Sequence, residues 1–179
     1  MHASLVHHPH TQVSPIAAIV VEVAREGSRL ALGYRVTGGI ADLLLADPAA
    51  PNRKDELWQH TCLEAFVGSV AGDCYVEINL SPSTQWALYG FTGYRHGMAA
   101  PDVDPPMIHA EADADRLLLD ASIDLAGLLP EQEIWQLGLA AVIEDRSGAK
   151  SYWALAHRAG PPDFHHRDCF TLQLPPAMR

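Results

Sequence analysis

The stretch Cys74-Tyr-Val-Glu-Ile-Asn-Leu-Ser81 decides the fold class. Successive side chains of a strand point to opposite faces. Val76, Ile78 and Leu80 therefore form one apolar face, and Tyr75, Glu77, Asn79 and Ser81 form a polar row on the other. The same period recurs outward along the chain. Thr61–Gly68 sets Leu63, Ala65 and Val67 against Cys62, Glu64 and Phe66. Arg116–Leu125 sets Leu117, Leu119, Ala121 and Ile123 against Asp120, Ser122 and Asp124. Ile16–Arg25 and Arg29–Thr37 flank the turn pair Gly27-Ser28 and read as a hairpin, with Leu30, Leu32, Tyr34 and Val36 opposite Arg29 and Arg35. Gln85–Thr92 is aromatic-rich, and Trp135–Ile143 is apolar throughout most of its length, as a central strand should be. Ser151–Ala156 and Asp168–Leu174 bring the count to about nine strands. One helical turn is expected over Asp124–Pro130, capped by Asp124. No strand–helix–strand period argues for a parallel sheet. The expected architecture is an all-β antiparallel β-sandwich or jelly roll over residues 14–179, after a flexible, histidine-bearing tail over residues 1–13.

Composition narrows the function classes. The 179 residues suit one domain, and 48% hydrophobic against 19% charged residues excludes a disordered chain. Twelve Lys+Arg against 22 Asp+Glu leave a net charge of −10, with no basic run to meet phosphates or an anionic membrane. The expected partner is therefore a small molecule, with neither nucleic acid nor membrane involved. Cys62, Cys74 and Cys169 show no C-x-x-C spacing and read as reduced thiols, neither a disulfide framework nor a zinc cassette. The first residues lack a basic start and apolar core, and the run from Ile16 to Val21 is too short to span a bilayer, so a cytoplasmic location is expected.

Chemistry concentrates on the row beginning at Tyr75. Neighbouring side chains on one face lie about 7 Å apart, so Tyr75, Glu77, Asn79 and Ser81 offer a line of donors and acceptors. If the strand from Thr61 pairs beside them, Glu64 joins the line, with Arg35 and Trp86 as flanking candidates. Aromatic rings stacked on C–H faces, with Glu, Asn and Arg reading oxygens between them, suit a ligand rich in hydroxyls. A polar row covered by a loop would leave the same pattern. Glu64 and Glu77 also suit a glycosidase pair if their separation is right. No nucleophile elbow and no phosphate-cradling glycine loop is present. Among histidines, His157, His165 and His166 are weak metal candidates, with Asp163 and Asp168 nearby in sequence. His60 and Glu64 would stand about 13 Å apart on a strand and could not share an ion alone. An exposed edge strand could pair in a homodimer.

Three blocks carry a resemblance. They are Asp55-Glu-Leu-Trp-Gln-His-Thr-Cys-Leu-Glu-Ala-Phe-Val67, then Tyr75-Val-Glu-Ile-Asn-Leu-Ser-Pro-Ser83 with Trp86-Ala-Leu-Tyr89 and Gly93-Tyr-Arg95, then Tyr152-Trp-Ala-Leu-Ala-His157 with Pro162–Phe170. Together they resemble bacterial DOMON-like proteins, related to family 9 carbohydrate-binding modules. The resemblance implies a β-sandwich that binds a sugar or a haem. It carries over to Glu77 and Asn79 on the strand motif, and makes Trp58 and Trp153 candidates for stacking on a sugar. Arg95 is expected to brace Glu77 or Glu64. Haem-binding relatives use Met and His axial ligands; Met98, Met107, His157 and His165 match no such motif, and no resident cofactor is expected. The reading that results is a non-catalytic binding domain for a small carbohydrate-like ligand. A haem electron-transfer domain, a sugar-modifying enzyme using the paired glutamates, and an interaction module are the alternatives.

Overall fold

The computed structural model describes residues 1–176. Eleven antiparallel strands follow one another: β1 (His2–His7), β2 (Ile16–Glu26), β3 (Arg29–Gly38), β4 (Cys62–Ser69), β5 (Tyr75–Leu80), β6 (Trp86–Phe91), β7 (Met107–Ala112), β8 (Arg116–Asp124), β9 (Trp135–Glu144), β10 (Lys150–Ala154) and β11 (Leu172–Leu174). Ten of them form a continuous path, β6-β5-β4-β9-β10-β1-β2-β3-β8-β7, and β11 pairs with β9. The path curls on itself, so that β6-β5-β4-β9-β10 and β2-β3-β8-β7 act as two facing layers. Strand β1 joins them: His2–Leu5 pair with β2, while Val6 and His7 pair with β10.

The alternation seen in the sequence builds the space between the layers. Leu63, Ala65 and Val67 of β4, with Val76, Ile78 and Leu80 of β5, meet Val21, Leu32, Tyr34, Val36, Leu117 and Leu119 from the other layer in one apolar core. The Tyr34 hydroxyl crosses that core to donate to the Glu64 carbonyl at 2.7 Å, which satisfies a buried phenol. As expected of a central strand, β9 has partners on both sides.

Two sequence expectations change and one holds. Residues 2–7 are not a flexible tail; they form β1, and the Val23 N–H also donates to the Met1 carbonyl. Asp124–Pro130 forms one hydrogen-bonded turn as expected, with the Leu128 and Leu129 N–H groups donating to the Leu125 carbonyl and Asp124 accepting the Ala126 N–H at 3.0 Å. Among the described residues the regular non-strand elements are three short 3-10 turns, at Ile40–Asp42, Leu57–Gln59 and Arg167–Cys169. An unanticipated edge strand, β7, has a largely exposed surface and so lacks a strong apolar alternation. The three cysteines are free, Cys62 and Cys169 buried and Cys74 exposed.

Candidate ligand-binding site

Adding β5 to β4 in register places Glu64 opposite Asn79 and Phe66 opposite Glu77. Adding β6 places Tyr89 beside Glu77 and Ala87 beside Asn79. On the other side, Ala140 stands beside Glu64 and Ala154 beside Ala140. The outer face of this layer therefore carries the row Ala154-Ala140-Glu64-Asn79-Ala87. Methyl side chains flank the polar pair and do not reach over it. The sequence reading was right that Glu64, Glu77 and Asn79 share a face.

That face is not open. A second apolar cluster lies on it, built from Leu57, Cys62, Phe66, Tyr75, Tyr89, Phe91, Phe164, Cys169 and Phe170 among others. The segment around Phe164–Phe170 folds down as a cover. Two glycines let it lie close: a side-chain carbon at Gly138 would sit 2.9 Å from the Phe170 ring, and one at Gly68 would sit 2.9 Å from the Arg167 guanidinium. A clasp holds the cover to the loop after β6. Arg95 donates to Asp163 Oδ1 at 2.9 Å and the Tyr94 hydroxyl donates to Asp163 Oδ2 at 2.6 Å.

Under the cover, Glu64, Asn79 and Glu77 are 2%, 0% and 7% exposed. Asn79 Nδ2 donates to Glu77 Oε1 at 2.8 Å, and the Cys62 thiol donates to Asn79 Oδ1 at 3.5 Å. The Arg95 N–H donates to the Tyr75 oxygen at 3.2 Å, and Tyr75 meets His165 Nδ1 at 2.8 Å. The network is satisfied if the phenol proton points to Nδ1, which assigns the ring proton to Nε2. Nε2 then faces Glu77 Oε2 at 3.7 Å. The His165 ring sits edge-on to Phe66, Tyr75 and Phe91. Glu64 differs from all of these: its Oε1 is buried with no hydrogen-bond partner. Because buried polar groups are nearly always paired, an orphan carboxyl oxygen is a notable vacancy in the bonding of this site.

Electrostatics follow from burial. Loss of water pushes the Glu64 carboxyl well above the usual carboxylate range, and Glu77 pushes it further. Burial also raises Glu77, against the opposing pull of the Asn79 bond and Arg95. His165 is held down to about 4, chiefly by burial and then by Arg95, so its imidazole is neutral at pH 7. The site thus holds a neutral donor–acceptor ring, an amide and two carboxyls poised differently.

Several sequence candidates lie elsewhere. Arg35 stands on β3 in the other layer and pairs with Asp120 at 2.8 Å. It cannot flank Glu77, because alternation says nothing of which layer a strand joins. Trp86 and Trp153 face the inter-layer core. Trp86 stands one residue out of phase with Ala87, the neighbour of Asn79, and Trp153 donates to the Ser151 hydroxyl at 3.2 Å. Arg95 is near the site but is bound to Asp163 and not to either glutamate. Trp58, in contrast, sits 51% exposed in the turn that packs on β4 and β5. Among the described residues no three His, Cys, Asp or Glu side chains converge as a metal site. His157 donates to the Val6 carbonyl at 2.7 Å, and His166 accepts the Asp168 N–H at 3.2 Å, so they do not gather around His165. Met107 lies on β7 in the layer opposite His165 and is not brought to it as an axial partner. The sequence reading missed Tyr89, which donates to Asp55 at 2.7 Å, and named Asp163 only beside the metal-candidate histidines and not as the acceptor of Tyr94 and Arg95. The signal for a covered face was present in Phe66, Tyr89 and Phe91, aromatic side chains on the side of the polar row.

No family model and no curated protein matches the chain. Solved structures do. A "putative carbohydrate-binding protein" from Bacteroides uniformis superposes with a TM-score of 0.74 at 13% identity, over 96% of this chain and 84% of the other. A family 9 carbohydrate-binding module from Caldicellulosiruptor kristjanssonii, in complex with cellotriose, gives a TM-score of 0.54 at 13% identity, over 83% of this chain and 70% of the other. The module from the same organism in complex with glucose gives 0.52 at 12% identity, over 83% and 71%. At these identities the likeness is one of fold.

Proposed function

We propose that the chain is a non-catalytic module that binds a small carbohydrate-like ligand at Glu64, Glu77 and Asn79. The observation that carries this reading is the buried Oε1 of Glu64, left without a partner beside an ordered Glu77–Asn79 pair. An orphan acceptor of this kind costs the folded state roughly 1–3 kcal/mol, and a ligand hydroxyl would relieve it. Sugar-bound structures of the same fold support the reading. Trp58 offers its exposed ring to the C–H face of the ligand, and Asp55 and Tyr89 stand near the edge. Entry requires the Asp163–His165 part of the cover to lift, which breaks the clasp to Tyr94 and Arg95.

The test is calorimetric titration with a panel of mono- and disaccharides, repeated on Glu77→Gln. Saturable binding to the native chain that weakens by about tenfold or more (about 1.4 kcal/mol) in Glu77→Gln, with the thermal midpoint little changed, is the expected result. Binding that survives the substitution undiminished places the ligand elsewhere. The absence of binding across the panel overturns the reading.

A further inference from the structure

We propose that the ligand of this site carries a protonated amine, so that its class is a hydroxylated amine such as an amino sugar and not a neutral or acidic sugar. The inference rests on the binding reading above.

It starts from the groups that face the two glutamates. Strand β4 supplies Cys62 and Glu64; β5 supplies Tyr75, Glu77 and Asn79; β6 supplies Tyr89. The segment before β4 adds Asp55, the loop after β6 adds Tyr94 and Arg95, and the cover adds Asp163 and His165. Four of these eleven carry a carboxyl group (Asp55, Glu64, Glu77 and Asp163), and no cation among them is free to balance the glutamates: Arg95 is already engaged by Asp163. His165 is neutral at physiological pH, because its surroundings are apolar rings. Glu64 and Glu77 are diagonal neighbours on adjacent strands, about 7 Å apart at their β-carbons. A buried carboxylate without a cation is costly, and a pair of them is more so.

An ammonium answers the geometry. It brings three donors and no acceptor, whereas a hydroxyl brings a single donor. One N–H would reach the orphan Oε1 of Glu64. Another would reach Glu77 Oε2, which has only the long 3.7 Å approach of His165. The amine would also draw Glu64 into its ionised form, and the carboxyl proton would leave to solvent. A uronate or a phosphorylated sugar would bring a further negative charge against Glu77 and Asp163, and should be rejected.

The experiment compares D-glucosamine, D-glucose, N-acetyl-D-glucosamine and D-glucuronate on the intact chain by calorimetry at neutral pH, in two buffers of different ionisation heat. The proposal expects glucosamine to bind at least about tenfold more tightly than glucose or the N-acetyl sugar. It also expects a buffer-dependent heat that reports proton release. Glu64→Gln should erase both the preference and the release; if that variant fails to fold, the buffer comparison on the native chain still decides. Equal or better binding of glucose, with no proton release, overturns the amine inference and leaves carbohydrate binding standing. Silence toward all four overturns both.

Discussion

The two outer faces of this molecule start from the same alternation and end in opposite environments. Across the layer that contains β3, the pairing register lines up His2, Glu22, Gly33, Asp120 and His109. Their charges stay in water: Arg35 meets Asp120 at 2.8 Å with both side chains partly exposed, and His109 meets Glu111 at 2.9 Å on the surface. A groove of about 490 Å³ runs along this face over Ala24, Ala31, Gly33 and Ser122. Across the other layer, Glu64, Glu77 and Asn79 occupy equivalent outward positions but lie under aromatic side chains. The difference lies in the cover and not in the strands. A carboxylate that keeps its water is a solvated surface group, while one deprived of water is either protonated, paired or waiting for a ligand.

The sharpest way to break the comparison is to remove the cover. Phe170→Ala takes a fully buried ring off Gly138 and should cost about 3–5 kcal/mol in urea unfolding, as large core truncations do. A loss below about 1 kcal/mol would mean that the cover is dispensable to the fold. Next in size is Asn79→Ala. It leaves Glu77 Oε1 without its donor and the Cys62 thiol without its acceptor, and should cost about 1–3 kcal/mol.

The pH dependence sharpens the contrast without changing the packing. Glu64 titrates above its ordinary value in the folded chain, so its favourable contribution is complete at or below the usual carboxylate range and is lost as pH rises through its folded value. Glu64→Gln should therefore gain stability relative to the native chain as pH increases. His165 titrates at about 4 against an ordinary 6.5, so its contribution is complete above 6.5 and is lost as pH falls toward 4. His165→Gln should gain relative stability in that acidic window. Thermal midpoints of the three proteins from acid to neutral pH read both slopes, and parallel curves would contradict the burial of these groups. The smallest effect belongs to the open face. Arg35→Ala should change stability by no more than about 1 kcal/mol, since its ion pair with Asp120 is exposed, and added salt should shrink even that. A larger loss would show that the solvated face matters more than its exposure suggests.

Much of this is legible in the sequence. The nine segments read as strands correspond to β2–β6 and β8–β11, with Asp168–Leu174 shortened to Leu172–Leu174, and in the alternating ones the side that faces the core follows from Val76, Ile78 and Leu80 and their counterparts. Glu64, Glu77 and Asn79 were legible as one polar group because the hairpin partners β4 and β5 are consecutive in the chain. Trp86 was misplaced because Gln85–Thr92 is apolar on both sides, so its phase is ambiguous. Strand β1 was missed because Leu5 is its one fully buried side chain, with Ala3 packed beside it, so that its order comes chiefly from pairing with both β2 and β10.

The sequence by itself determined nine of the eleven strands and the residues that share a side of each. Those properties depend on neighbours one, two or three positions away, where backbone geometry leaves little choice. Tertiary structure alone decided that Arg35 belongs to the other layer, that Trp153 faces the core, and that the Glu64–Asn79 row lies in the dark under Phe164–Phe170. Each of those depends on partners distant in the chain. An outward polar residue is written the same way whether the space above it is filled by water or by a loop, and here only the fold says which.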